Sequence, residues 1–335
     1  MDYLKTLKQE ELVKISNDFN YLKVTENFVG LRLMPMAKTE NMKLAIYELL
    51  EGHDIPVSAL VHALDSEARI GDRALFEEIN YELVLIKEKI NQGEELKKKI
   101  KDLGMTVENN GAVMAVYNDI ANQISKVLVG FERRACELLS TGKNVIKENG
   151  ADTTIDHKLS AKNKIDFSGW ATPSHDILAD LVALKNASND KIVRMIISSK
   201  VMGYIVANEA MANIASKAGA YATRKFAQEY ILANFDIDFI VDDRTFKFSH
   251  GDNKEYRFFD EMTVVALTTR GQVGTTFMTS TPTEDFAEAD AKYGFVAVDQ
   301  YIDNDPKALW TLAEGLGLSV IPNINQTLYI SKITA

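Results

Sequence analysis

The stretch Asn118-Asp-Ile-Ala-Asn-Gln-Ile-Ser-Lys-Val-Leu-Val-Gly-Phe-Glu-Arg-Arg-Ala-Cys-Glu-Leu-Leu-Ser-Thr-Gly-Lys143 decides the architecture. With Val113, Val116 and Tyr117 before it, its apolar residues Ile120, Ile124, Val127, Leu128, Phe131, Ala135, Leu138 and Leu139 recur at intervals of three and four. That is the stripe of a helix with one buried face. Gly142 is a stop signal. A helix from 112 to 141 spans about 45 Å at 1.5 Å per residue. So long a rod implies an elongated body, or a strut under a sheet.

Outward from the helix, the N-terminal side has little capacity for a core of its own. Leu4, Leu7, Leu12 and Ile15 predict a short amphipathic helix in an arm over residues 1–35, irregular through Asn17-Asp-Phe-Asn-Tyr21. The arm's apolar residues need a surface, in the same chain or in a neighbour. Lys43-Leu-Ala-Ile-Tyr-Glu-Leu-Leu50 reads as a strand stopped at Gly52, Ile55-Pro-Val57 restarts an extended piece, and Gly71-Asp72 marks a turn. Phe76 to Ile90 is apolar-periodic, and period alone does not separate helix from strand. Glu94, Glu95 and Lys97-Lys-Lys-Ile-Lys101 read as a solvated helix face, interrupted by Gly104.

The C-terminal side alternates strands and helices. Residues 151–171 read as polar and irregular, with extended pieces at Ile155-Asp156 and Ile165 to Trp170. Asp176 to Lys185 reads as a helix with Ile177, Leu178, Leu181 and Val182 facing in. Val193 to Ile197 is a buried strand, followed by helices over 200–208 and 210–217. Phe235-Asp-Ile-Asp-Phe-Ile-Val241 alternates strictly and reads as a strand. Arg244 to Phe259 is a hairpin around Gly251-Asp-Asn253. Further strands are expected at Met262–Leu267, Phe295–Val298, Ser319–Ile321 and Gln326–Ile330.

Composition narrows the function classes. The chain has 335 residues, 46% hydrophobic and 26% charged, with a net charge of -10. It can bury a proper core. The acidic balance argues against coating nucleic acid, which needs clustered Lys and Arg, though not against enclosing it. The one cysteine, Cys136, permits no intramolecular disulfide and suits a reducing site of folding. It reads as a small buried or half-buried helix residue. No stretch reaches the roughly 20 apolar residues of a membrane span. The first residues lack an apolar signal core.

Signatures of chemistry are sparse. There is no phosphate-cradling loop, no Gly-x-Ser-x-Gly elbow and no His-Glu-x-x-His. Gly315-Leu-Gly317 reads as a loop before a strand, the wrong setting for a dinucleotide. His53, His62, His157, His175 and His250 are dispersed and read as surface or turn residues. The best enzyme candidate is Asp236 and Asp238 on one strand face, with Asp242 and Asp243 beyond, a set that could hold Mg²⁺. The competing reading buries Phe235, Ile237, Phe239 and Val241 and leaves the aspartates in solvent. No cofactor or metal site is assigned.

Arm, extended excursion, long helix and a mixed body without a site is an order that resembles the Hong Kong 97-type fold of tailed-bacteriophage capsid proteins. Closest is the lambda-like major capsid protein E family. Asn118 to Lys143 looks like that family's spine helix. Thr154-Ile-Asp-His-Lys158 and Asp166-Phe-Ser-Gly-Trp-Ala-Thr-Pro-Ser-His-Asp-Ile177 look like its connection beyond the spine. Asn253 to Ala266, Thr269-Arg-Gly-Gln-Val-Gly274, Asp303-Asn-Asp-Pro306 and Ser319-Val-Ile-Pro-Asn-Ile-Asn325 resemble its later hairpin, strand and chain end. The order of these pieces carries the resemblance. Before about residue 90 it is one of layout.

The resemblance implies an α+β fold: an N-terminal arm (1–40), an E-loop (41–90), a P-domain of spine helix plus β-strands (91–171, completed by 281–310), and an A-domain of mixed sheet flanked by helices (172–280 and 311–335). It implies a structural, non-enzymatic virion protein that self-assembles as hexamers and pentamers. The resulting icosahedral shell encloses double-stranded DNA without sequence-specific binding. Scaffolding protein, portal and a decoration protein are the implied partners, and the host bacterial cytoplasm is the implied place of assembly. Subunit contacts are expected from Ile46, Tyr47, Leu49, Phe76, Ile79 and Tyr81, with Arg69, Asp72, Arg73 and Glu77 setting register. The alternatives are an oligomeric phage adaptor, or a Mg²⁺ enzyme using Asp236 and Asp238.

Overall fold

The computed structural model describes residues 7–40, 43–49, 76–92, 111–249, 251–285, 292–304 and 307–334. The spine is one helix, Gly111–Thr141, 31 residues long. Its stripe is buried as the spacing requires: Ile120, Ile124, Val127, Leu128, Ala135, Leu138 and Leu139 have no exposed surface. The helix stops because Gly142 takes φ +74, which an L side chain resists. Its N–H caps the Leu138 carbonyl at 2.8 Å.

The spine lies across a five-stranded sheet. The centre of that sheet is the 14-residue strand Lys307–Val320. Along one edge it pairs antiparallel with Ala297–Asn304 and then with Thr275–Thr279, which in turn pairs with Met36–Lys38. Along the other edge it pairs with Val84–Gln92. Gly315 and Gly317 therefore sit inside a strand, not in the expected loop. A Cβ at Gly315 would stand 2.8 Å from the Phe131 ring, and one at Gly317 would stand 2.5 Å from the Phe277 carbonyl oxygen. The glycines let the spine and a neighbouring strand approach the sheet closely.

The second sheet runs Phe167–Ser168, Leu328–Thr334, Thr263–Leu267, Arg194–Ile197, Asp238–Val241 in spatial order. It is mixed, with parallel pairs at both edges. Side chains alternate between its faces with period two. Ile196, Val265, Leu267 and Ile330 join the core under the spine. Met195, Ile197, Val264, Ala266 and Ile333 join a second core with the helices Ile177–Ala187, Ser199–Ala207, Glu209–Lys217 and Arg224–Phe235. On the first of these helices Ile177, Leu181 and Leu184 face in, while Val182 is 44% exposed and corrects the expected face.

The arm forms three helices, Gln9–Asp18, Tyr21–Thr25 and Val29–Leu33, where an irregular stretch was expected. It lies on its own chain. Leu12, Tyr21, Leu31 and Leu33 share the main core. Ser16 donates to the Val296 carbonyl at 2.6 Å, and Tyr21 meets Phe295 edge-on at 5.3 Å. Phe76 to Ile90 resolves into two strands, Phe76–Glu82 and Val84–Gln92. Lys43–Leu49 pairs with the first of them as a two-stranded ribbon. A second hairpin, Lys143–Glu148 with Ala151–Asp156, follows the spine where irregular chain was expected.

Candidate assembly interface

The aspartates of the enzyme reading are dispersed by local structure. The strict strand alternation expected from Phe235 fails because Phe235 ends a helix, and Asp236 caps it in the left-handed region at φ 54. The strand begins only at Asp238. Each carboxylate meets an arginine instead of its fellows. Arg270 donates to Asp236 at 2.6 Å and Arg194 to Asp238 at 2.7 Å. Arg244 donates to Asp242 at 2.6 Å, and Arg257 to Asp243. The Arg270 guanidinium holds the Asp236 carboxyl below the usual range. Asp242 is buried, against the expectation of solvent. Among the described residues no three of His, Cys, Asp and Glu are grouped to hold a metal ion.

The histidines also divide. His175 is half-buried, with Nε2 2.7 Å from Asp180, a carboxylate that also accepts the Trp170 N–H at 2.6 Å. His157 is fully buried, not a surface residue, and stacks on Tyr81 at 4.8 Å. Burial pushes its pKa down to about 4, and the charge of Asp156 only partly opposes this. His53, His62 and His250 lie outside the described residues, as do Lys97 to Lys101. Cys136 is buried as expected. Burial, and then the Glu132 carboxylate, push its thiol well up.

Glu132 is the hub of a polar clamp that sequence reasoning missed. It projects from the spine with no exposed surface. It accepts the N–H groups of Gly30 at 3.0 Å and Leu31 at 2.8 Å. Arg244 reaches it at 2.7 Å and also donates to the Asn27 carbonyl at 2.7 Å. Despite the cost of burial, hydrogen bonds from Arg244 to Asp242 and Glu132 raise the arginine's pKa. Arm, spine and the loop after the last strand of the second sheet are thus tied at one point. The contributing residues are about 100 positions apart in sequence, so no local motif announces them.

Of the residues expected to contact other subunits, Ile79 and Tyr81 are buried at the root of the ribbon with Leu318 and Val320 of the same chain. Ile46, Tyr47, Leu49, Phe76 and Glu77 lie further along the ribbon, in the registers Ile46 to Ile79, Tyr47 to Glu78, Glu48 to Glu77 and Leu49 to Phe76. Arg69, Asp72 and Arg73 lie outside the described residues.

A third feature is an aromatic hairpin, Thr245–Phe246 paired with Tyr256–Arg257. Its ladder is the predicted one, but the sequence reading did not use the Phe-x-Phe alternation within it. Phe246 contacts Phe248, Tyr256 and Phe258 at 5.5, 5.7 and 5.0 Å between ring centres. Arg133 of the spine stands 5.0 Å from the Phe248 ring and is itself held by Glu148 at 2.6 and 2.7 Å. Hydrogen bonds from Arg133 lower the Glu148 pKa. Phe248 remains 56% exposed.

No curated protein matches the sequence. Solved structures do match the fold. A protein of E. coli CFT073 assigned as a prophage capsid protein superposes with a TM-score of 0.65 over 98% of this chain and 100% of its own, at 14% identity. A phage-related protein of Bordetella bronchiseptica RB50 superposes with a TM-score of 0.54 over 98% and 97%, at 13% identity. The sequence model of the phage major capsid protein E family matches residues 13–328. That span is nearly the whole chain, and the chain therefore belongs to the phage major capsid protein E family.

Proposed function

We propose that this chain is the shell subunit of a tailed-phage head, assembling as hexamers and pentamers into an icosahedral container for double-stranded DNA. The observation that carries the reading is the family match over residues 13–328, on a fold shared with a prophage protein assigned to capsids. The role is structural rather than catalytic. Residues 1–40 serve as arm and 41–90 as E-loop. The spine region 91–171 with 281–310 forms the P-domain, and 172–280 with 311–335 the A-domain. Strand Lys307–Val320 runs across the last of these limits, which supports drawing it at Val320. Host cytoplasm is the place of assembly, and scaffolding protein, portal and decoration protein are the expected partners. A net charge of -10 suits a wall that encloses DNA without gripping it.

The ribbon positions Ile46, Tyr47, Leu49, Phe76 and Glu77, with Arg69, Asp72 and Arg73, supply contacts between subunits. Expression with the neighbouring phage genes, followed by negative-stain electron microscopy, tests the reading. Closed shells or tubes tens of nanometres across are expected. Small rings alone, even with those genes present, would instead establish the adaptor. The Tyr47→Ala/Phe76→Ala variant is expected to give soluble protein that sediments as a small species. Unimpaired shells from it would remove these residues from the interface.

A further inference from the structure

We infer that the ribbon of one copy docks on the aromatic hairpin of a second copy, setting the positions Tyr47, Leu49, Phe76 and Glu78 against Phe248, Tyr256, Lys247 and Lys254. The inference rests on the reading of the ribbon as an intersubunit element and names the surface that receives it.

The hairpin has the make-up of a receiving surface. Its rings are already locked against one another, with Phe248 edge-on to Tyr256 at 5.0 Å. Locked aromatic and arginine groups lose little entropy on binding and dominate interface energies. The arginines around it are spoken for: Arg133 by Glu148, Arg244 by Asp242 and Glu132, Arg257 by Asp243. The lysines are looser. Lys247 stands 3.4 Å from Glu255, and Lys254 lies over the Tyr256 ring at 4.5 Å. Over residues 244–259 four cations face two carboxylates, in a chain whose net charge is -10.

The ribbon is its complement. A two-stranded ribbon is marginal by itself. Its strands carry one cation, Lys43, against Glu48, Glu77, Glu78 and Glu82. The register sets Glu48 opposite Glu77, a like-charge pair that a cation from outside the ribbon would relieve. Tyr81 and Ile79 commit one ribbon face to their own chain at the root. Alternation then gives Tyr47, Leu49, Phe76 and Glu78 to the opposite face, an apolar and acidic set matched to an aromatic and cationic one.

The test uses cross-linking, because the natural thiol, Cys136, is buried. Shells are assembled from a mixture of two differently tagged chains, one Phe76→Cys and the other Phe248→Cys, and treated with a short bismaleimide. A cross-link joining the two tags is expected. Shells that form without that cross-link overturn the inference and leave the shell reading intact. Failure of the unsubstituted chain to form shells sinks the shell reading itself. A second measurement covers loss of folding in the cysteine variants. Lys254→Glu is expected to raise the protein concentration needed for assembly about tenfold with an unchanged melting temperature, since many weak ion pairs act together in a shell. Adding Glu78→Lys to the same chain is expected to restore it. Absence of rescue, or shells that form normally but no longer retain DNA, assigns the hairpin to another partner and overturns the inference.

Discussion

Glu132 and Arg244 form the most exacting pair in the molecule. Removing Arg244 would leave a carboxylate with no exposed surface holding only two backbone N–H groups and a thiol. Breaking a buried pair from one side costs about 3–5 kcal/mol. Arg244→Ala is expected to lower the urea midpoint accordingly. Arg244→Lys is expected to recover little, because one ammonium cannot reach Asn27, Asp242 and Glu132 together as the planar fork does. Gly317 sets a different limit. Gly317→Ala drives a methyl into the Phe277 carbonyl, a backbone atom that cannot swing away. A loss of about 1–3 kcal/mol is expected in thermal melts. Neither residue was legible in the sequence. Gly317 reads as a loop glycine until Phe131 and Met278 are seen lying across it. Glu132 reads as one polar residue on a helix until the arm closes over it.

Among the elements, the ribbon's root carries a pH dependence. His157 is neutral when folded, with a pKa of about 4 against an ordinary 6.5. Its folded value is depressed, so the stability it protects is full above pH 6.5 and falls as the pH drops towards 4, where the unfolded chain already binds the proton. The shift corresponds to about 3 kcal/mol. Chemical denaturation of the wild type and His157→Phe at pH 7.5 and 4.5 checks this. The variant keeps a ring for Tyr81 to stack on and is expected to lose less stability on acidification. An equal loss in both would mean that His157 is not the group responsible.

The elements also show where sequence periodicity stops being informative. The spine was legible because a one-sided stripe of 3.6 periodicity belongs to nothing else. The hairpin after it was not, although Asn149-Gly150 with φ 48 and 85 makes the tight turn that couples two strands. The polar residues of Ala151–Asp156 hid it, since that strand buries nothing and so shows no apolar alternation. Helix Arg224–Phe235 was missed for a related reason. Its core side, Ala227 and Ile231, is narrow, and its last residue opens the alternating run that reads as a strand.

At the scale of the whole molecule, the series arm, ribbon, spine and mixed body was legible from the order of weak signals. The arm's destination was not, because a short amphipathic helix carries no record of whose surface it covers. Here it covers its own chain's first sheet, through Ser16 and Val296 and through Tyr21 and Phe295. The assembly surface was half legible. The ribbon could be found by its position before the spine, while the aromatic hairpin showed only as a turn.

The long strand Lys307–Val320 is central in space and nearly last in sequence. A chain emerging from the ribosome has made Val84–Gln92, Thr275–Thr279 and Ala297–Asn304 before the strand that joins them exists. Until then the spine has no sheet to lie on. Contacts this distant in sequence make folding slow. Timing therefore works as a safeguard, since a half-synthesised subunit cannot present a finished spine-and-sheet body to its neighbours. Release from the ribosome and readiness to assemble coincide in the same few residues.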